Sequence, residues 1–198
     1  MAAKRVGIDT IIAKTAALFR LKGYHSTSMD EVAQVCKMRK PSLYHHFPSK
    51  EALGLAVLAR IQARFEQEVF RHAYDERLSP KQRMARLTRA TEKYFFEGEG
   101  GCLVGNFALE TIDQNPAFTE SIRYYFDTWA AAIAHVLVVV MPSKDTRRLA
   151  ARYVAEIQGA IMMMRVYRDR GRLRRVLARM NTHFSDPRQG KSDHECKP

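Results

Sequence analysis

Apolar residues recur along this chain at spacings of three and four, and no Val/Ile/Thr-rich stretch alternates with polar residues as a half-buried strand requires. The pattern predicts an all-α protein. Ile11, Ile12, Thr15, Leu18 and Phe19 fall on one face of a first helix, Ile8 to Lys22, and Gly23 is placed as its C-terminal stop. Ser28-Met29-Asp30-Glu31 fits a capping box, in which the serine hydroxyl and the glutamate carboxylate satisfy the free amides that open a helix. A short second helix, Met29 to Cys36, follows from it. After a turn at Lys37 to Arg39, Pro41 suits the first turn of a third helix, where its missing amide proton costs nothing; Ser42 to His46 completes it and Phe47-Pro48 ends it. Ser49 caps a long fourth helix reaching Tyr74, with Leu53, Val57, Ile61, Phe65 and Val69 at every fourth position. Beyond Ser79-Pro80, helices are predicted at 81–97, 104–114, 116–141, 144–169 and 172–184, separated by a GEGG run, Asn115-Pro116, Pro142-Ser143 and Gly171.

Three short helices with a tight turn between the second and third form the geometry that places one helix in the DNA major groove. The chain therefore divides into a helix-turn-helix domain at 1–50, a helical domain at 51–185 joined to it by the fourth helix, and a polar tail at 186–198 expected to be disordered. Charge sharpens this picture. Residues 1–50 carry nine Lys/Arg against three Asp/Glu, residues 51–142 ten against twelve, and residues 143–198 fourteen against six. A first module this short and this basic points to phosphate neutralisation, whereas the near-neutral middle reads as an ordinary core.

With 198 residues and 46% hydrophobic content the chain can fill a sizeable core. Cys36, Cys102 and Cys196 are odd in number and not closely spaced, which fits a reducing cytoplasm better than a disulfide scaffold, and no metal-ligand spacing appears. The adjacent His45 and His46 point to different helix faces and lack a third ligand. The longest apolar stretch, Trp129 to Met141, has 13 residues and contains His135, too short for a bilayer, and the N-terminus lacks a signal-peptide core. A cytoplasmic protein with no membrane partner, no cofactor and no metal is expected. H-E-x-x-H, G-x-S-x-G and phosphate-loop motifs are absent, so an enzyme is not expected.

The segment GYHSTSMDEVAQVCKMRKPSLYHHFPSKEAL at 23–53 closely resembles the signature of the TetR/AcrR family of bacterial one-component regulators. It shares the glycine after helix one, the T-S-x-x-x-V/I-A segment, the L-Y-x-H-F run and the S-K-E-x-L helix start. The resemblance implies that Thr27 or Ser28 opens the helix crossing the DNA backbone, that Arg39, Lys40, Ser42, Tyr44 and His45 project from the recognition helix, and that Lys50 clamps a phosphate. Their chemistry agrees: Lys50 sits at a helix N-terminus already favourable to anions, Tyr44 offers a hydroxyl, and Arg39 or Lys40 can reach guanine edges. The bland alternatives are a packing aromatic at Tyr44 and a solvated His45. Lys37 and Pro41 stand where such proteins often carry glycine, and Arg39 where a small polar residue is common.

The second domain resembles the family in architecture, and GGCLVGNFALE at 100–110 looks like a glycine-rich turn that enters a helix over the ligand pocket in one branch of it. Cys102, Phe107, Tyr125, Phe126, Trp129, His135, Met162 and Met163 are the candidates to line an effector site; the alternative is that they are core. Cys102, near a helix start, is either a sensor of electrophiles or oxidants or a small buried residue. Tyr153, Ile157, Ala160, Ile161 and Met164 form one apolar stripe and Leu173, Val176, Leu177 and Met180 another, so two protomers could pair them as a four-helix bundle; alternatively each stripe faces its own domain. Arg165, Arg168, Arg170, Arg172, Arg174, Arg175 and Arg179 read either as a solvated surface or as an auxiliary contact to nucleic acid or an acidic ligand. The resemblance implies a homodimeric repressor that leaves a palindromic double-stranded operator when a small effector binds. Its rivals are a non-specific architectural DNA binder, a protein-binding adaptor and an all-α enzyme.

Overall fold

A computed structural model describes residues 7–98 and 100–184. The expected tail at 186–198, with Cys196, lies outside the described residues. Among those described, the chain forms nine α-helices and one short 3-10 helix, with no strand. The helices are α1 (Ile8–Lys22), α2 (Met29–Val35), α3 (Lys40–His46), α4 (Lys50–Glu68), α5 (Pro80–Glu97), α6 (Leu103–Thr111), α7 (Pro116–Leu137), α8 (Ser143–Tyr167) and α9 (Gly171–Thr182).

Local chemistry accounts for their ends. Gly23 closes α1 with φ +88, in the region open to glycine, and its N–H donates to the Phe19 carbonyl. At α2 both halves of the capping box form: Ser28 Oγ accepts from Glu31 N at 3.2 Å, and Glu31 Oε2 accepts from Ser28 N at 2.8 Å. Ser49 Oγ caps α4 through Ala52 N at 3.0 Å. The fourth helix, expected to reach Tyr74, ends at Glu68, and Phe70–Ala73 tighten into the 3-10 turn. The tighter repeat puts Phe70 and Ala73 on one side, and both are buried. Helix α7, expected to reach 141, stops at Leu137, leaving Val138, Val139 and Val140 exposed.

Two compact units emerge, and they divide the chain differently from a cut at residue 50. Among the described residues, the first joins 7–68 with Tyr94–Trp129, so α6 and most of α7 belong with the helix-turn-helix. Phe19, Tyr24, Phe107 and Phe118 form a ring cluster there, with centroid separations of 5.1–5.5 Å. Phe65 gathers a second cluster of Tyr94, Phe95, Tyr125 and Trp129 at 4.7–5.8 Å. Each fully buried ring of these clusters contributes roughly 1.5–3 kcal/mol, and Tyr94, half-buried, contributes less. The second unit joins Val69–Lys93 with residues 130–184, and α8 packs along α9 within it.

Candidate nucleic-acid interface and effector region

Leu43, fully buried, turns one face of α3 into the core while Ser42, Tyr44, His45 and His46 stay exposed on the others. Arg39 is the N-cap residue of α3 and exposed; Lys40 opens the helix and holds Asp30 at 2.9 Å. Five of the eight expected DNA contacts, Arg39, Lys40, Ser42, Tyr44 and His45, thus lie together on one short exposed helix. Lys37, in the turn before it, adopts φ +55, the left-handed conformation that glycine takes at no cost. Of the two candidates for opening α2, Ser28 is the cap. Thr27 is buried, and its Oγ1 donates to the Gly23 carbonyl at 2.8 Å, so its hydroxyl is spent inside the module. Lys50 is half-buried: Nζ donates to the His25 carbonyl at 3.0 Å and lies 4.5 Å from the centre of the Tyr24 ring. Burial lowers its pKa below the ordinary lysine value.

The effector candidates separate. Cys102, Phe107, Tyr125 and Trp129 are buried in the first unit, with Phe126 half-buried beside them. Cys102 is the N-cap residue of α6, its Sγ accepting from Gly105 N at 3.4 Å. Burial pushes the Tyr125 phenol well above its usual pKa, and the neighbouring Cys102 adds to the shift. In the second unit His135 is exposed, its ring 4.7 Å from that of Tyr74; Met162 is 59% exposed and Met163 half-buried. An open groove of about 690 Å³ follows the loop after α6 and one face of α7, lined by Ile112, Thr119, Arg123, Tyr124 and Asp127 among others, and none of the eight candidates lines it. Among the described residues no group of three or more His, Cys, Asp or Glu could hold a metal ion, and no helix is long and apolar enough to cross a membrane.

Residues 11–57 match the family model for bacterial regulatory proteins of the tetR family, and residues 80–179 match the C-terminal domain of LmrA/YxaF-like transcriptional regulators. The chain belongs to the TetR family. DhaR, an HTH-type transcriptional repressor of Mycobacterium sp. (strain GP1), is 25% identical over 166 residues, 81% of this chain and 83% of its own length. YxaF, an uncharacterised HTH-type transcriptional regulator of Bacillus subtilis (strain 168), is 26% identical over 167 residues, 82% of this chain and 86% of its own. A TetR transcriptional regulator from Legionella pneumophila shares the fold with a TM-score of 0.80 at 22% identity, over 92% of this chain and 98% of the other. This TetR-family chain is therefore a DNA-binding transcriptional regulator and not an enzyme.

TetR-family regulators form dimers, and the two stripes expected to meet across such an interface do not face outward here. Tyr153, Ile157, Ala160, Ile161 and Met164 on α8, and Leu173, Val176, Leu177 and Met180 on α9, are all at or below 9% exposure within the single chain. Both stripes are covered within a single TetR-family protomer, in which α8 packs along α9. Ion pairs in the same unit hold Arg172 and Arg175 to Asp169, Arg174 to Glu92, and Arg179 to Glu156. Arg172 also lies 4.1 Å from the centre of the Tyr167 ring.

Proposed function

We infer that the protein is a homodimeric cytoplasmic repressor that reads a palindromic operator through α3 and releases it when a small effector binds. The observation that carries this is the exposed face of α3, where Arg39, Lys40, Ser42, Tyr44 and His45 stand together over a buried Leu43. Arg39 supplies a guanidinium suited to guanine, Ser42 and Tyr44 supply hydroxyls, Ser28 heads α2 where a phosphate approaches, and Lys50, with one ammonium proton on the His25 carbonyl, has two others to offer a phosphate. One short helix reads little sequence; a two-fold pair reads two half-sites about one DNA turn apart.

Dimerisation falls to the opposite face of α8, where Ala151, Ala155 and Gly159 are exposed at four-residue spacing and Met162 and Val166 continue the stripe. The effector reading centres on the part of the first unit holding Cys102, Phe107, Tyr125 and Trp129, which shares a core with the helix-turn-helix. An effector that favours one packing of these rings shifts operator affinity by a coupling of about 1–3 kcal/mol. His135, Met162 and Met163 are not part of that reading.

The test is selection from random duplexes by the purified protein at ~150 mM salt, where phosphate-only binding is suppressed. An enriched inverted repeat is the expected result. Retention of DNA without enrichment would replace the repressor with an architectural binder.

A further inference from the structure

The turn between α1 and α2 is gripped from far along the chain. Glu110, in the last turns of α6, accepts the backbone N–H of His25 through Oε2 at 2.9 Å, and its main-chain oxygen lies 2.8 Å from Nε2 of the same histidine. The carboxylate rests where a side chain on Gly23 would be: a Cβ there would stand 2.8 Å from Oε1. On the other side of residue 25, its carbonyl accepts from Lys50 Nζ at 3.0 Å. The backbone of His25 thus bridges a carboxylate and an ammonium, and both hydrogen bonds are charge-assisted. All four residues belong to one compact unit in which α6 packs on α1.

We propose that Glu110 is a positioning residue for DNA binding: through His25 it anchors the α1–α2 turn and Lys50, so that the placement of α6 sets operator affinity. The proposal rests on the reading of Lys50 as a phosphate clamp. Helix α6 has nine residues; Cys102 caps its opening, Phe107 sits at its middle and Glu110 near its close, so one short rigid element links the effector region to the turn. Without Glu110, the His25 N–H loses its carboxylate acceptor and the carbonyl that Lys50 holds is no longer fixed, so ordering Lys50 on a phosphate costs conformational entropy that the wild type has already met on folding.

The experiment measures affinity for the selected operator duplex, with its salt dependence, for wild type, Glu110→Ala, Lys50→Ala and the double variant. Glu110→Ala is expected to melt with the wild type and bind about threefold to tenfold more weakly. Lys50→Ala is expected to lower affinity about tenfold and reduce the salt slope by about one. Because Glu110 acts through Lys50, the double variant should bind no more weakly than Lys50→Ala. Glu110→Gln, which keeps an oxygen acceptor for the His25 N–H, should recover most of the loss. Should Glu110→Ala melt early, Glu110→Asp, one methylene too short to reach His25, repeats the cycle with the charge kept. Wild-type affinity in the Ala and Asp variants, or losses that multiply in the double variant, overturns the proposal. If Lys50→Ala alone changes neither affinity nor salt slope, the phosphate-clamp reading fails, and the positioning role falls with it.

Discussion

Glu31 shows how much one side chain does in the DNA-binding module. Its carboxylate pairs with Lys22 and closes the capping box with Ser28, and these contacts, Lys22 foremost, hold its pKa at about 2 against an ordinary 4.5. A carboxyl group whose pKa is depressed on folding stabilises the fold above its unfolded value and loses that effect as pH falls toward the folded one. Glu31→Gln should therefore melt below the wild type at pH 7, and the gap should close between pH 4.5 and about 2; a gap independent of pH would assign the effect to packing instead. Lys37 makes the opposite case, a residue that works against its own backbone. At φ +55 a side chain costs about 1–2 kcal/mol, of which glycine's greater unfolded-state freedom returns part, so Lys37→Gly should stabilise by about 0.5–1 kcal/mol in urea titration. The family resemblance, which puts a glycine at this position in many members, already marks it.

At the scale of elements, periodicity and caps were legible and partners were not. Helix α1 runs from Ile8 to Lys22 as its apolar face and Gly23 predict, and Ser28 announces α2. The end of α4 was hidden because Val69 continues the four-residue repeat; the break comes from burial of Phe70 and Ala73, which no local pattern encodes. The stripes of α8 and α9 were visible as stripes, but an apolar face says only that it is covered, and here both are covered within the single chain. Glu110 and His25, 85 positions apart, carried no mark at all. Close helix crossings are equally silent, and Gly54 inside α4 is one of them. A Cβ there would stand 2.9 Å from Phe118 Cζ and 3.2 Å from Tyr24 Cε2, in a core where both rings are already packed. Alanine would gain about 1 kcal/mol of helix propensity and lose about 1–3 kcal/mol to overpacking. Gly54→Ala is thus expected to be destabilising on balance, and a gain in denaturation midpoint would show that Phe118 can yield.

For the whole molecule, what matters is which surface a second copy covers. A monomer that left the outer face of α8 in water would expose Met162 at 59% and Val166 at 67% beside Ala151, Ala155 and Gly159. Small residues at four-residue spacing let another helix come close, and a Cβ on Gly159 would meet nothing within 4 Å in the lone chain. A large residue at Gly159 is therefore free in the monomer and obstructive in a helix-to-helix dimer, which separates folding from association in a single substitution. Gly159→Trp should melt as a folded protomer, sediment as a monomer at micromolar concentration where the wild type is a dimer, and bind an inverted repeat far more weakly than the wild type. Its binding to an isolated half-site should hardly change, because α3 is untouched and only the second reading head is lost. A dimer that persists in Gly159→Trp would move the interface off this face of α8. Loss of half-site binding as well would mean that α8 acts on the reading head directly and not through pairing.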